Sequence, residues 1–150
     1  MPGALRISEA ASLAMHTAAF LAENAERPVS AREIAVTLRV SEAHLAKVMQ
    51  RLAKFGLVRS FRGPAGGFVL SKDCGQITLL DVYEAIEGPL EENHCLFETP
   101  VCRGEICVLG GLIGTVNRQV RDYLAAARLS ALTDIYERTD THAEKSCADR

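Results

Sequence analysis

Cys95, Cys102 and Cys107 lie within thirteen residues, in an acidic stretch that also carries Glu91, Glu92, His94, Glu98 and Glu105. Thiolates are soft ligands, and three that can converge suit a soft metal ion or an iron-sulfur cluster. The spacing C-x6-C-x4-C lacks the tight C-x2-C knuckle of zinc ribbons and fingers, so an iron-sulfur cluster is the sharper metal reading. Two plainer readings stay open. In an oxidising compartment the thiols would form disulfides, and in a reducing one they would serve as small buried hydrophobes. Cys74 and Cys147 stand apart from this stretch, the first read as structural or spare, the second as incidental.

Something must hold that stretch, and the composition bounds what. The chain has 150 residues, 48% of them apolar and none of them Trp, which fits one Ala- and Leu-rich domain with a core of its own. In residues 1–22 Arg6 is the one base, and Ser8, Glu9, Ser12 and His16 interrupt the apolar run. Neither an export signal nor a membrane span reads that way. The expectation is a cytoplasmic protein with reduced thiols and no membrane partner, which favours metal or redox duty over disulfides.

The net charge of -2 conceals a division along the chain. From Arg39 to Arg62 six bases (Arg39, Lys47, Arg51, Lys54, Arg59, Arg62) face one acid, Glu42; from Asp73 to Glu105 eight acids face one base, Arg103. A local basic segment is what phosphate contact requires, whatever the total.

The apolar periodicity predicts a helix over about Ser8 to Asn24, then, after Arg27-Pro28, a short one over Ala31 to Leu38 opened by a Ser30/Glu33 capping box. Ser41 can cap a third helix whose Leu45, Val48, Met49 and Leu52 face inward while His44, Lys47, Gln50, Arg51 and Lys54 face out. Two helices, a tight turn and a basic second helix form a helix-turn-helix pattern. Leu57 to Phe61 and Phe68 to Leu70 read as two strands around the turn Arg62-Gly63-Pro64-Ala65-Gly66-Gly67. That hairpin is the wing of a winged helix, with Arg62 at its tip, suited to a narrow groove or a phosphate.

Thr78 can cap a further helix with Leu79, Val82, Tyr83 and Ile86 inward, ended by Gly88-Pro89. The cysteine stretch follows without helix or strand periodicity. Val108 to about Leu129 then reads as the longest helix, its apolar positions from Leu109 to Ala127 on one stripe and Arg118, Arg121 and Asp122 facing away. So long a stripe exceeds what a small winged helix needs to cover, and it is read as a dimerisation helix. Leu132 to Tyr136 is read as a short final helix and 137–150 as a polar, flexible tail. The expected organisation is therefore mainly α with a small β wing: a DNA-binding region over 1–88, a cysteine-bearing loop over 89–107, a dimerisation helix and short terminal helix over 108–136, and the tail.

With these motifs in place, the chain resembles the bacterial IscR/NsrR/RirA/CymR (Rrf-type) family of dimeric winged-helix transcription regulators, over about residues 5–135. Ser41-Glu42-Ala43-His44-Leu45, Arg62-Gly63-Pro64-Ala65-Gly66-Gly67-Phe68-Val69-Leu70 and Ile77-Thr78-Leu79-Leu80-Asp81-Val82 carry the likeness, the R-G-P-x-G-G-[FY] wing most specifically. The resemblance implies a homodimer on a near-palindromic double-stranded DNA operator, with recognition helices in successive major grooves and wings in the flanking minor grooves. Ser41 matches a DNA-contacting Ser of the family and Arg62 its wing Arg. The candidate DNA contacts are Ser41, His44, Lys47 and Arg51 on the helix and Arg59, Arg62 and Gly63 on the hairpin. Ala43 and Ala46 replace polar contacts of the cluster regulator itself, which implies a different operator.

In cluster-bearing members three cysteines of this loop hold a 2Fe-2S or 4Fe-4S cluster, and Cys95, Cys102 and Cys107 match them. The fourth ligand varies. A His that some members place after the last Cys is Gly110 here, and an acid from the partner's first helix is Ser12 here. His16, one turn on and on the same helical face, is the candidate, with Glu9, His94 and an exogenous thiol or water open. The expectation is a regulator, not an enzyme, whose operator affinity follows a cluster that senses iron-sulfur status, redox state or nitric oxide. The alternatives are a cluster-free dimeric regulator controlled by thiol oxidation or a partner protein, and a winged helix used for protein contact alone. No C-x-x-C, nucleotide-binding Gly loop or acid-base pair supports an enzyme.

Overall fold

The computed structural model describes residues 7–91, 95–103, 107–109 and 111–136; His94, Gly110, Cys147 and the expected tail lie outside them. Four helices come first, with a hairpin between the third and fourth: α1 (Glu9–Glu23), α2 (Ala31–Leu38), α3 (Glu42–Lys54), β1 (Val58–Phe61), β2 (Gly67–Leu70) and α4 (Leu79–Glu87). A later helix, α5 (Leu112–Ala126), precedes a 3-10 turn at Leu129–Ala131.

Each of the first four helices starts where a hydroxyl accepts an otherwise orphaned N–H of the first turn. Ser8 accepts from Ala11, Ser30 from Glu33, Ser41 from His44 and Thr78 from Asp81, all at 3.1–3.2 Å. At Thr78 the box is reciprocal, because the Asp81 carboxylate accepts the Thr78 N–H at 2.8 Å. The box expected at Ser30 is only half made. Arg27 captures the Glu33 carboxylate instead, and an ion pair outcompetes a neutral backbone donor.

The ends of α2 and α3 share one arrangement. The Val40 N–H reaches the Ala35 carbonyl (3.0 Å) and the Arg39 N–H the Val36 carbonyl (3.2 Å); one helix later Leu57 reaches Leu52 (2.9 Å) and Gly56 reaches Ala53 (3.0 Å). Both are Schellman turns, which need a left-handed residue just past the helix. Gly56 takes that place at φ 70, and Arg39 takes the other at φ 55. A left-handed residue that carries a side chain costs on the order of 1 kcal/mol.

The hairpin pairs antiparallel from Val58↔Leu70 to Phe61↔Gly67. A third segment joins it, since Val29 and Phe68 exchange both backbone hydrogen bonds at 3.0 and 2.8 Å. That approach requires glycine at 67, where a Cβ would lie 2.5 Å from the Val29 carbonyl oxygen. Leu13 and Leu21 of α1, Ile34 of α2, Leu45, Val48, Met49 and Leu52 of α3, and Val82, Tyr83 and Ile86 of α4 share one buried core, as their spacing predicts.

The later part of the chain departs from expectation. The long helix begins at Leu112, not Val108, because Gly111 takes a left-handed φ of 78 and supplies no side-chain cap. It ends at Ala126 because the chain turns to pair with the start of α4: Leu79 N–H reaches the Ala127 carbonyl (2.8 Å) and Leu129 N–H the Ile77 carbonyl (3.0 Å). Leu129 is thereby buried completely in the first core. Leu132 to Tyr136 is not helical; it packs back on α1, where Glu23 accepts the N–H groups of Ile135 and Tyr136. Arg121, expected to face away, is turned inward. Among the described residues no helix is long and apolar enough to cross a membrane.

Candidate nucleic-acid interface and cysteine loop

Helix α3 buries Leu45, Val48, Met49 and Leu52, so its other residues must face out. Ser41 accepts from the His44 N–H and keeps its own hydroxyl proton to donate. The free N–H groups and positive dipole end of α3 point the same way, which suits a phosphate oxygen. Ala43 and Lys47 are exposed and His44 is half-buried. Arg51 is partly committed elsewhere, with Nε donating to the Ala85 carbonyl of α4 at 3.4 Å.

On the wing, the Arg59 guanidinium lies over the Phe61 ring, 5.5 Å from its centroid. This contact stiffens the strand and leaves the charge exposed. Arg62 and Gly63 stand exposed at the tip, with Gly63 at φ 105. The structure thus places Ser41, His44 and Lys47 on one exposed helix end and Arg59, Arg62 and Gly63 on the hairpin that follows it. Arg51 lies at the far end of α3, against α4.

The cysteine loop leaves α4 through a clasp that spacing did not reveal. The Leu90 N–H donates to Glu84 Oε1 at 3.0 Å, Arg121 of α5 donates to the Leu90 carbonyl, and Arg121 and Glu84 lie 3.9 Å apart. The root of the loop at Leu90 is thereby tied to both α4 and Arg121 of α5, and spacing carries no signal of it, since it sets Arg121 off the apolar stripe. Beyond the clasp, Cys95, Cys102 and Cys107 are half-buried, stand in no disulfide and lie outside any helix or strand.

As a donor set, three cysteines outside disulfide, helix and strand fit an iron-sulfur cluster, since no regular hydrogen-bond ladder at their positions must be broken for them to converge. They are not gathered in this conformation. Among the described residues no group of three or more His, Cys, Asp or Glu side chains stands ready for a metal ion.

His16 sits on the exposed face of α1, with Nδ1 2.8 Å from the Tyr136 hydroxyl, while that hydroxyl donates to the His16 carbonyl at 2.9 Å. A carbonyl can only accept, so the phenol proton lies there and Nδ1 must carry the imidazole proton. Burial, helped by Glu23, pushes the Tyr136 phenol far above its ordinary range and keeps it a donor. The arrangement leaves Nε2 as the nitrogen free to act as a ligand. Glu9, Ser12 and His16 line a cavity of about 330 Å³ with Thr37, Leu38, Val40 and Tyr136. Among the described residues no cysteine lines it.

A core shared by four helices, a helix-turn-helix with a polar, basic outer face and a basic wing define a winged-helix DNA-binding transcription regulator. A model of the Rrf2 family, described as an iron-dependent transcriptional regulator, matches residues 7–135. The chain belongs to the Rrf2 family, whose members are transcription regulators and not enzymes. It is 28% identical over 122 residues to the HTH-type transcriptional regulator IscR of Xenorhabdus nematophila, which covers 77% of this chain and 74% of that protein. Among solved structures it is similar to CymR of B. subtilis, described as the global cysteine regulator, with a TM-score of 0.75 and 28% identity over 89% of this chain and 99% of that one. It is also similar to T. potens IscR, with a TM-score of 0.70 and 26% identity over 93% and 94% of the two chains.

Proposed function

We propose that two copies of this chain bind a near-palindromic operator in the cytoplasm, and that an iron-sulfur cluster on Cys95, Cys102 and Cys107 sets their affinity for it. The 1–88 region would carry the DNA contacts, with Ser41, His44, Lys47, Arg51, Arg59, Arg62 and Gly63 as the contact set. Residues 89–107 would carry the cluster and α5 the dimer contact. The observation that carries this reading is the loop itself: three cysteines outside helix, strand and disulfide, on a segment clasped at Leu90 to both α4 and α5.

The fourth ligand would be His16 of the second chain, whose Nε2 is left free by the Tyr136 contact. When bound, a cluster would supply a rigid crosslink between otherwise separate loop positions. Everything else falls to the chain's own residues. Glu84 and Arg121 hold the loop root to the end of α4, and Arg51 joins the neighbouring Ala85 carbonyl to α3. Ordering or releasing the loop would shift α4 and therefore the recognition helix. Control requires that DNA bind the two loop states with different affinity.

Anaerobic purification with iron and sulfide analysis and visible absorption tests the cluster. The expected result is a coloured protein with two to four iron atoms per chain or per dimer site, on the order of known cluster nuclearities; a colourless, iron-free protein after anaerobic reconstitution sinks it. One observation favours a second reading, control by thiol oxidation without a cluster: the three cysteines stand in no disulfide and, among the described residues, are not gathered as a metal-ready group. Mass spectrometry after mild peroxide, showing a reversible disulfide among them together with altered operator affinity, would select it.

A further inference from the structure

Arg39 and Asp134 are the non-glycine residues with positive φ among the described residues, at 55° and 65°. Aspartate tolerates that region because its short side chain can bond the local backbone, and arginine has no such excuse. The matching turn after α3 shows what the geometry prefers, for Gly56 fills the identical place at φ 70. An arginine held where glycine is favoured marks a position kept for its side chain, not for the turn.

That side chain is exposed and makes no hydrogen bond or ion pair among the described residues. Arg27, Arg51, Arg59, Arg121 and Arg128 are engaged, with Glu33, Ala85, Phe61, Leu90 and Gly75; Arg32, Arg62 and Arg118 are exposed like Arg39, but Arg39 alone of these holds a left-handed backbone. Arg39 stands in the helix-turn-helix turn, two residues before the Ser41 cap, at the end of α3 that a recognition helix directs toward DNA. We propose that Arg39 is a DNA-phosphate contact made from this turn, additional to those of α3 and the wing. It rests on the reading of α3 as a recognition helix. A phosphate is the partner because the residue sits outside the groove-facing helix, where a planar guanidinium can grip one bidentately and fix register without reading a base.

The test measures binding of the full-length protein to a mixed-sequence duplex about 30 base pairs long, long enough for two half-sites one turn apart, across a salt series, for wild type, Arg39→Gly, Arg39→Gln and Arg39→Lys. Losing one phosphate contact per chain should make the slope of log affinity against log salt shallower by about two for a dimer and weaken binding roughly tenfold at low salt. Gly and Gln should do this alike, although only Gly relieves the backbone; Lys should keep the wild-type slope. Arg39→Gly should melt no lower than wild type, which separates lost contact from lost fold.

A wild-type slope in Arg39→Gly overturns the inference while leaving the DNA-binding reading intact. So does a slope that tracks backbone relief, with Gly and Gln differing. If the wild type shows no salt-dependent binding at all, the DNA-binding reading fails and takes the inference with it.

Discussion

Helices α1 to α4 each begin at a Ser or Thr whose oxygen accepts a first-turn N–H, whereas α5 begins at Gly111 with no side-chain cap. The two regions differ in the same sense in what they bury. Leu21, Ile34, Leu45, Leu52 and Val82 of the first are at most 1% exposed, while Val101, Val108, Leu112 and Tyr123 of the second are 79%, 94%, 54% and 67% exposed. A core completed within one chain specifies its helix ends locally. Val36, Phe55 and Phe61 are exposed in the first region too, but the cluster of large apolar side chains left in water around the start of α5 is the one that suits a surface covered by a partner. The difference teaches that damage to the first region should be paid in folding, and damage to the second in association or in control.

The largest effect should follow from opening the first core. Leu52, fully buried on α3, leaves a cavity when cut to Ala, and the variant should lose about 2–5 kcal/mol of unfolding free energy. Chemical denaturation followed by circular dichroism reads this directly. A loss below about 1 kcal/mol would mean that the site collapses freely and that the core is not the close-packed unit described.

A smaller effect of a different kind should follow on α5. Leu112→Lys puts a charge on the exposed apolar face, and should raise the dimer dissociation constant at least about tenfold, which is roughly 1.4 kcal/mol. Sedimentation over a concentration series measures it. If Leu112→Lys stays as dimeric as wild type while Leu52→Ala loses its fold, the apolar face of α5 is not where the second chain sits.

The same contrast explains what was legible in the sequence. Ser30, Ser41 and Thr78, followed by apolar residues at helical spacing, placed α2, α3 and α4 to within a residue, because caps and stripes are local signals. The start of α5 lies later than its apolar stripe implies, because the stripe runs on through Val108 and Leu109 although Gly111 already breaks the helix. Spacing alone sets Arg121 toward solvent, because it cannot show that the Leu90 carbonyl, 31 residues away, takes its donor from there. The His16 and Tyr136 pairing spans 120 residues and has no periodic trace at all. What depended on one segment was legible, and what depended on two distant ones was not.

The smallest effect on the fold should come from the residues with the most chemistry. Cys102 is half-buried, outside helix and strand, and separated from the first core by the Leu90 clasp. Cys102→Ser exchanges one sulfur for an oxygen and changes little else, so thermal or chemical unfolding of the metal-free protein should move by less than about 0.5 kcal/mol, the range of substitutions away from packed features. Iron retention after anaerobic reconstitution should fall sharply in the same variant, because a weak neutral hydroxyl replaces a soft anionic ligand. The pairing of results matters more than either alone. A variant that loses iron and keeps its stability shows a loop whose only duty is to hold something. One that loses several kcal/mol without iron would make the cysteines packing residues, and would erase the distinction between the two regions at the place where it is drawn most sharply.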